Sequence, residues 1–157
     1  MNHIKKSVDY KLLEISSTVF KDGEWIPSRF TCDGANINPP LDIKNIPANA
    51  KCLAVIVDDP DAPIAPWIHW IIWNINITKH IKENEVHGCE GLNDFQQFHY
   101  SGPCPPPFGI HHYHFKVYAL NSILELPDNT KKNELEKAMS EHIVAFGELV
   151  GLYKRNN

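Results

Sequence analysis

The feature that most restricts this chain is its punctuation. Twelve prolines and eight glycines, most of them before residue 110, cut the sequence into short runs. Proline removes a backbone donor and clashes with the turn before it, and glycine raises the entropic cost of order, so few of those runs suit an ordinary helix. Strands are what remain. Residues 52–58 and 68–75 are near-continuous runs of β-branched and aromatic side chains, the pattern of strands covered on both faces. Residues 113–120 alternate instead. Tyr113, Phe115, Val117 and Ala119 share one face and His114, Lys116, Tyr118 and Leu120 the other, which predicts one core face and one mixed face. Only 128–142, after Pro127, reads as a helix, with Asp128 and Thr130 as candidate caps and Leu135, Ala138 and Met139 along one side. Residues 143–153 read as a last strand. The expectation is an all-β, Greek-key-like sandwich of two antiparallel sheets with one short helix in the C-terminal region.

At 157 residues, with no repeat or linker to divide it, the chain is expected to form a single domain over 1–157. Its net charge of −4, from 15 basic and 19 acidic residues, provides no electrostatic footprint for nucleic acid and no polybasic stretch for an anionic membrane. The first 17 residues lack an apolar run long enough for a signal-peptide core, and charges interrupt each later apolar run before it could span a bilayer. A soluble, cytoplasmic protein is expected. Cys32, Cys52, Cys89 and Cys104 are far apart with no C-x-x-C spacing, and they read as reduced thiols, two bridges being the alternative in an exported relative.

Three clusters could carry chemistry. Asp58-Asp59-Pro60-Asp61-Ala62-Pro63 stands at the end of an apolar strand, where side chains leave the core. In an extended backbone Asp59 and Asp61 would aim the same way, stiffened by Pro60 and Pro63. A plain Asp/Pro turn explains the same residues. His69, inside Pro66-Trp67-Ile68-His69-Trp70, is a histidine among large apolar groups whose ring nitrogens need partners. An Asp59 or Asp61 carboxylate could orient one nitrogen and leave the other for a ligand, while a satisfied core histidine is the simpler reading. The third cluster is Tyr100-Ser101-Gly102-Pro103-Cys104-Pro105-Pro106-Pro107, followed by His111-His112-Tyr113-His114. A Gly-Pro turn can expose backbone N–H groups to an anion, and the long segment 76–109 around it should shape a pocket rim. On a strand His112 and His114 share a face opposite His111 and Tyr113. A two-histidine clip for adventitious metal is open, but no dedicated metal site is expected. Nor is a cofactor. Cys104 is the best candidate nucleophile in a chain with no G-x-S-x-G elbow or P-loop.

Taken in order, these motifs resemble the phosphatidylethanolamine-binding family, and within it the bacterial and archaeal Raf-kinase-inhibitor-like (YbhB/YbcL) branch. The resemblance runs from Phe20-Lys21-Asp22-Gly23 through Phe30-Thr31-Cys32-Asp33-Gly34, Asn38-Pro39-Pro40-Leu41, Asp58-Asp59-Pro60-Asp61-Ala62-Pro63 and Trp67-Ile68-His69-Trp70. It continues through Tyr100-Ser101-Gly102-Pro103-Cys104-Pro105-Pro106 and His111-His112-Tyr113 to Gly147-Glu148-Leu149-Val150-Gly151. It implies an anion pocket in which Asp59, with Asp61 and Pro63 beside it, meets His69, Gly102, Pro103, His111 and Tyr113, and a cis bond between Ala62 and Pro63. It also implies a homodimer. Many relatives carry an arginine where this chain has His112, and the eukaryotic ones add a helix beyond the last strand, so an end at Asn157 would leave the pocket more open.

The resulting expectation is a binding protein for a small phosphorylated, headgroup-like or carboxylate anion, regulating a partner protein such as a kinase. A free Asp59 carboxylate would repel such a ligand unless protonated or used to orient a histidine, so binding should depend on pH. The alternatives are a hydrolase using Asp59, His69 and His111, and a dimeric interaction protein with a vestigial pocket.

Overall fold

The structure is a computed structural model that describes residues 11–107 and 109–155. Most of the segment read against a signal peptide, Phe108 of the rim and the last two residues lie outside the described residues. The elements are β1 (Lys11–Leu12), β2 (Glu14–Ser16), a 3₁₀ turn (Ser28–Phe30), β3 (Leu41–Lys44), β4 (Cys52–Asp59), β5 (Trp67–Ile75), β6 (His80–Ile81), β7 (Cys89–Glu90), β8 (His111–Leu120), α1 (Lys132–Met139) and β9 (Ile143–Tyr153). They form a six-stranded sheet in the order β1-β9-β8-β4-β5-β7 and a three-stranded sheet in the order β2-β3-β6. All pairs are antiparallel except β1 with β9. No described helix is long and apolar enough to cross a membrane.

All eight residues of β4 are buried, because both of its faces are covered. Leu53, Val55 and Val57 enter the core between the sheets, with Phe115, Val117, Leu41 and Ile43. Cys52, Ala54 and Ile56 face the opposite way, under Leu135 and Met139 of α1. That two-sided cover is why the run lacks alternation; each large apolar side chain so buried stabilises by about 1.5–3 kcal/mol. β8 shows the alternation read from its sequence, with Tyr113, Phe115, Val117 and Ala119 in the inter-sheet core and His112, His114, Lys116 and Tyr118 on the other face.

Helix α1 is shorter than expected. Thr130 does not cap it: its hydroxyl and its N–H both donate to Pro127 O (2.6 and 3.1 Å), closing a separate turn before the helix. Lys131 takes the N-cap position, without a side-chain cap bond. Every peptide bond among the described residues is trans, which corrects the cis bond expected at Ala62–Pro63. The turn there is made by a side chain: Asp59 Oδ1 accepts the Asp61 N–H at 2.8 Å.

Register positions the site. β4 pairs with β8 through Val57↔Phe115 and Asp58↔His114, and with β5 through Asp59↔Trp67 after a shift between Val57 and Asp58. The end of β4 and the starts of β5 and β8 therefore meet at one edge of the large sheet. There buried Asp58 accepts from Lys116 (2.9 Å) while Asp59, on the opposite face, turns toward His111.

Candidate functional site

At that edge lies a hollow of about 230 Å³. Its floor is Asp59, His69, His111 and Tyr113, and around them stand Pro63, Trp67 and Phe95 on one side and Cys104, Pro105 and Pro106 on the other.

Asp59 is 4% exposed. Both of its oxygens are engaged: Oδ1 takes the Asp61 N–H, and Oδ2 accepts from His111 Nδ1 at 2.5 Å. A carboxylate there can only accept, so the His111 proton sits on Nδ1 and Nε2 is the nitrogen left for a ligand. His69, 2% exposed, is oriented differently from the expectation. Its Nδ1 donates to the Ser101 carbonyl at 2.6 Å rather than to a carboxylate. Burial holds its pKa below the ordinary imidazole range, against the pull of the Ser101 carbonyl and the Asp59 charge. The ring stands edge-on between Phe95 and Tyr113, with centroids 5.2 Å from each. Tyr113 is 1% exposed, and burial followed by the Asp59 charge pushes its phenol up, so it keeps its proton as a donor.

Three expected site residues stand elsewhere. Asp61 points away from the hollow and accepts from the N–H and Nδ1 of His112, both at 2.7 Å. Burial raises its carboxyl, but these bonds outweigh that and hold it below its usual range. The Asp59–Asp61 turn breaks the extended geometry that would have aimed both side chains alike. Gly102 does not offer its N–H to an anion; it donates to Asn36 Oδ1 at 2.7 Å. A Cβ on Gly102 would lie 2.2 Å from Phe30 O, so glycine is there for close packing. Pro103 is buried behind the wall, its carbonyl accepting from the Cys32 N–H at 3.0 Å.

Cys32 and Cys104 form a disulfide, with Cα atoms 5.4 Å apart across a separation of 72 residues. This corrects the reading of four reduced thiols and removes Cys104 as a free nucleophile; Cys52 (buried) and Cys89 (exposed) are free. Spacing concealed the pair because the rim crosses the loop after the 3₁₀ turn only in the fold. His112 and His114 share no metal position. Each pairs with its own carboxylate, Asp61 and Glu148 (3.2 Å), and among the described residues no group of three or more His, Cys, Asp or Glu could hold a metal ion.

Asn93 was not anticipated. It is 2% exposed, and its Nδ2 reaches His69 O, His99 O and Ser101 Oγ at 2.9–3.1 Å while Oδ1 accepts from the Phe95 and Gln97 N–H groups. It fixes the two backbones between which His69 is hung. Nothing in a polar loop marks one asparagine out for that role. A wider hollow of about 810 Å³ near Ile46, Pro47 and Ile77 has no buried titratable group in its lining.

A profile of the phosphatidylethanolamine-binding protein family matches residues 16–154. A UPF0098 protein of Pyrococcus abyssi is 50% identical over 149 residues, 88% of this chain and 84% of the relative. One from Methanothermobacter thermautotrophicus is 41% identical over 151 residues, 91% of this chain and 99% of the relative. A solved phosphatidylethanolamine-binding protein homologue from Chlamydia trachomatis matches with a TM-score of 0.88 at 35% identity, covering 93% of this chain and 99% of its own. YbcL of E. coli, a member of the mammalian family of that name, matches at 0.85 and 27% identity, covering 92% and 99%. Matched by the family profile over most of its length and by relatives in sequence and in fold, the chain belongs to the phosphatidylethanolamine-binding protein family.

Proposed function

We propose that residues 1–157 act as a single-domain binding protein whose pocket takes a small anionic group, a phosphate monoester or phospholipid headgroup. The observation that supports this most is the use made of Asp59. Its oxygens are not free to face a ligand, because one is committed to the Asp61 N–H and the other to His111 Nδ1 at 2.5 Å. A carboxylate used in this way orients the imidazole and leaves Nε2 turned to the hollow. Tyr113 supplies a neutral donor, and His69 a second imidazole that can take up a proton with the ligand. Tyr113 can donate to a phosphate oxygen as it stands, and the two imidazoles, whose Nδ1–H groups are already engaged, do so only through a protonated Nε2.

The expected compartment is the cytoplasm, and a regulated partner such as a kinase, or a second copy of the chain, would act around the same mouth. Calorimetric titration with phosphoethanolamine and with inorganic phosphate tests the reading. Saturable heat at millimolar ligand, lost in His111→Ala, is the expected result; no saturable binding of either compound by the folded protein would refute it.

A further inference from the structure

The proline wall is the least secured part of the pocket. Between Cys104 and Ile110, among the described residues, no backbone group enters a hydrogen bond. Pro105, Pro106 and Pro107 have no N–H to give, and the ladder resumes only at His111, opposite Tyr153. Upstream the rim is pinned by Cys32 N–H to Pro103 O at 3.0 Å and Gly102 N–H to Asn36 Oδ1 at 2.7 Å. Past Pro103 the tether is covalent: Cys104 lines the pocket beside Pro105 and Pro106 and is bridged to Cys32.

That tether is open to chemistry. Both cysteines are half-buried rather than sealed in the core. The Arg155 guanidinium lies 3.7 Å from Cys104 Sγ, held there by Asp33 at 3.2 Å. A cation beside a sulfur stabilises it as a thiolate, which makes Cys104 the better leaving group when the bridge is attacked.

We propose that the Cys32–Cys104 bridge is a redox gate on the anion pocket. Closed, it holds the proline wall over the floor and the pocket binds; opened by a dithiol reductant, it releases the wall, weakens binding and leaves Cys104 as a modifiable thiol inside the pocket. One thiolate of the reductant attacks Cys32 Sγ and expels the Cys104 thiolate, and its second thiol resolves the mixed disulfide. The reductant leaves as its own disulfide, and the two cysteines retain two electrons and two protons. The gate rests on the anion-binding reading above.

Titration of the oxidised and dithiothreitol-reduced protein with inorganic phosphate, followed by NMR, tests it. The reduced form should bind about threefold or more weakly, because the wall is no longer preorganised. Phosphate should also slow alkylation of Cys104 by iodoacetamide but not that of exposed Cys89. Equal affinity in the two redox states overturns the gate and leaves the binding reading intact; absence of binding in both overturns both. A Cys104 alkylated at the same rate with and without phosphate overturns the placement of its thiol. The Cys32→Ala/Cys104→Val variant, its fold checked by circular dichroism, repeats the measurement without free thiols at these positions. A folded variant that binds like the oxidised protein overturns the gate, and so does unfolding of every bridge-free form, since the bridge would then be a staple of the fold alone.

Discussion

On the floor of the pocket, Asp59, His69, His111 and Tyr113 stand on three neighbouring strands whose ladders continue through the large sheet, whereas in the wall a run of prolines is held by one bridge. The two regions touch the same hollow with different mechanical histories. Moving a floor residue means disturbing a ladder and a core, so its opening free energy should approach that of global unfolding. The wall can shift without breaking a single backbone hydrogen bond. Rigidity is thus concentrated in the floor and adjustability in the wall.

Truncation should cost the two regions very different amounts. Tyr113→Ala empties a fully buried site in the inter-sheet core and should lower stability by about 3–5 kcal/mol in denaturant unfolding. Pro106→Ala, at an exposed position of the wall, should change it by under about 1 kcal/mol. Equal losses at the two positions would erase the distinction.

A smaller effect comes from the proton on His69. Its folded pKa is depressed, chiefly by burial, whereas the unfolded imidazole titrates near about 6.5. Below that value the unfolded chain takes up a proton that the folded ring resists, so this contribution to stability is complete above about 6.5 and is lost as pH falls toward the folded value. An anion in the pocket favours the charged ring, so phosphate binding should tighten over the same window. His69→Asn retains a donor for the Ser101 carbonyl and should flatten both trends relative to the wild type, as read from unfolding midpoints and phosphate titrations across that range. Trends as steep in the variant would assign them to other histidines.

Much of the frame was legible in the residues. β4 and β8 announced themselves because burial on two faces and on one face leave different patterns, and β9 was bounded as read. The floor could be named from motifs that the fold then gathers. What escaped depended on contacts between distant segments. The partner of Asp59 proved to be His111 rather than His69, since strand register, not sequence proximity, decides which imidazole meets the carboxylate. The cysteine pair spans 72 residues, and Asn93 earns its position through five contacts that no local pattern encodes. Asp61 and Gly102 lie outside the hollow, in a turn and a close packing contact that use the same residue types as anion sites do.

In the proposed pocket, buried Asp59 makes His111 the group that meets the anion. Nitrogen-15 NMR of the histidine side chains measures it directly. A His111 ring protonated at Nδ1 is expected, its Nε2 signal shifting as phosphate is added, with affinity falling about tenfold in Asp59→Asn as the charged acceptor is lost. A His111 resonance that ignores phosphate, or an Asp59→Asn protein that binds as the wild type does, would contradict it.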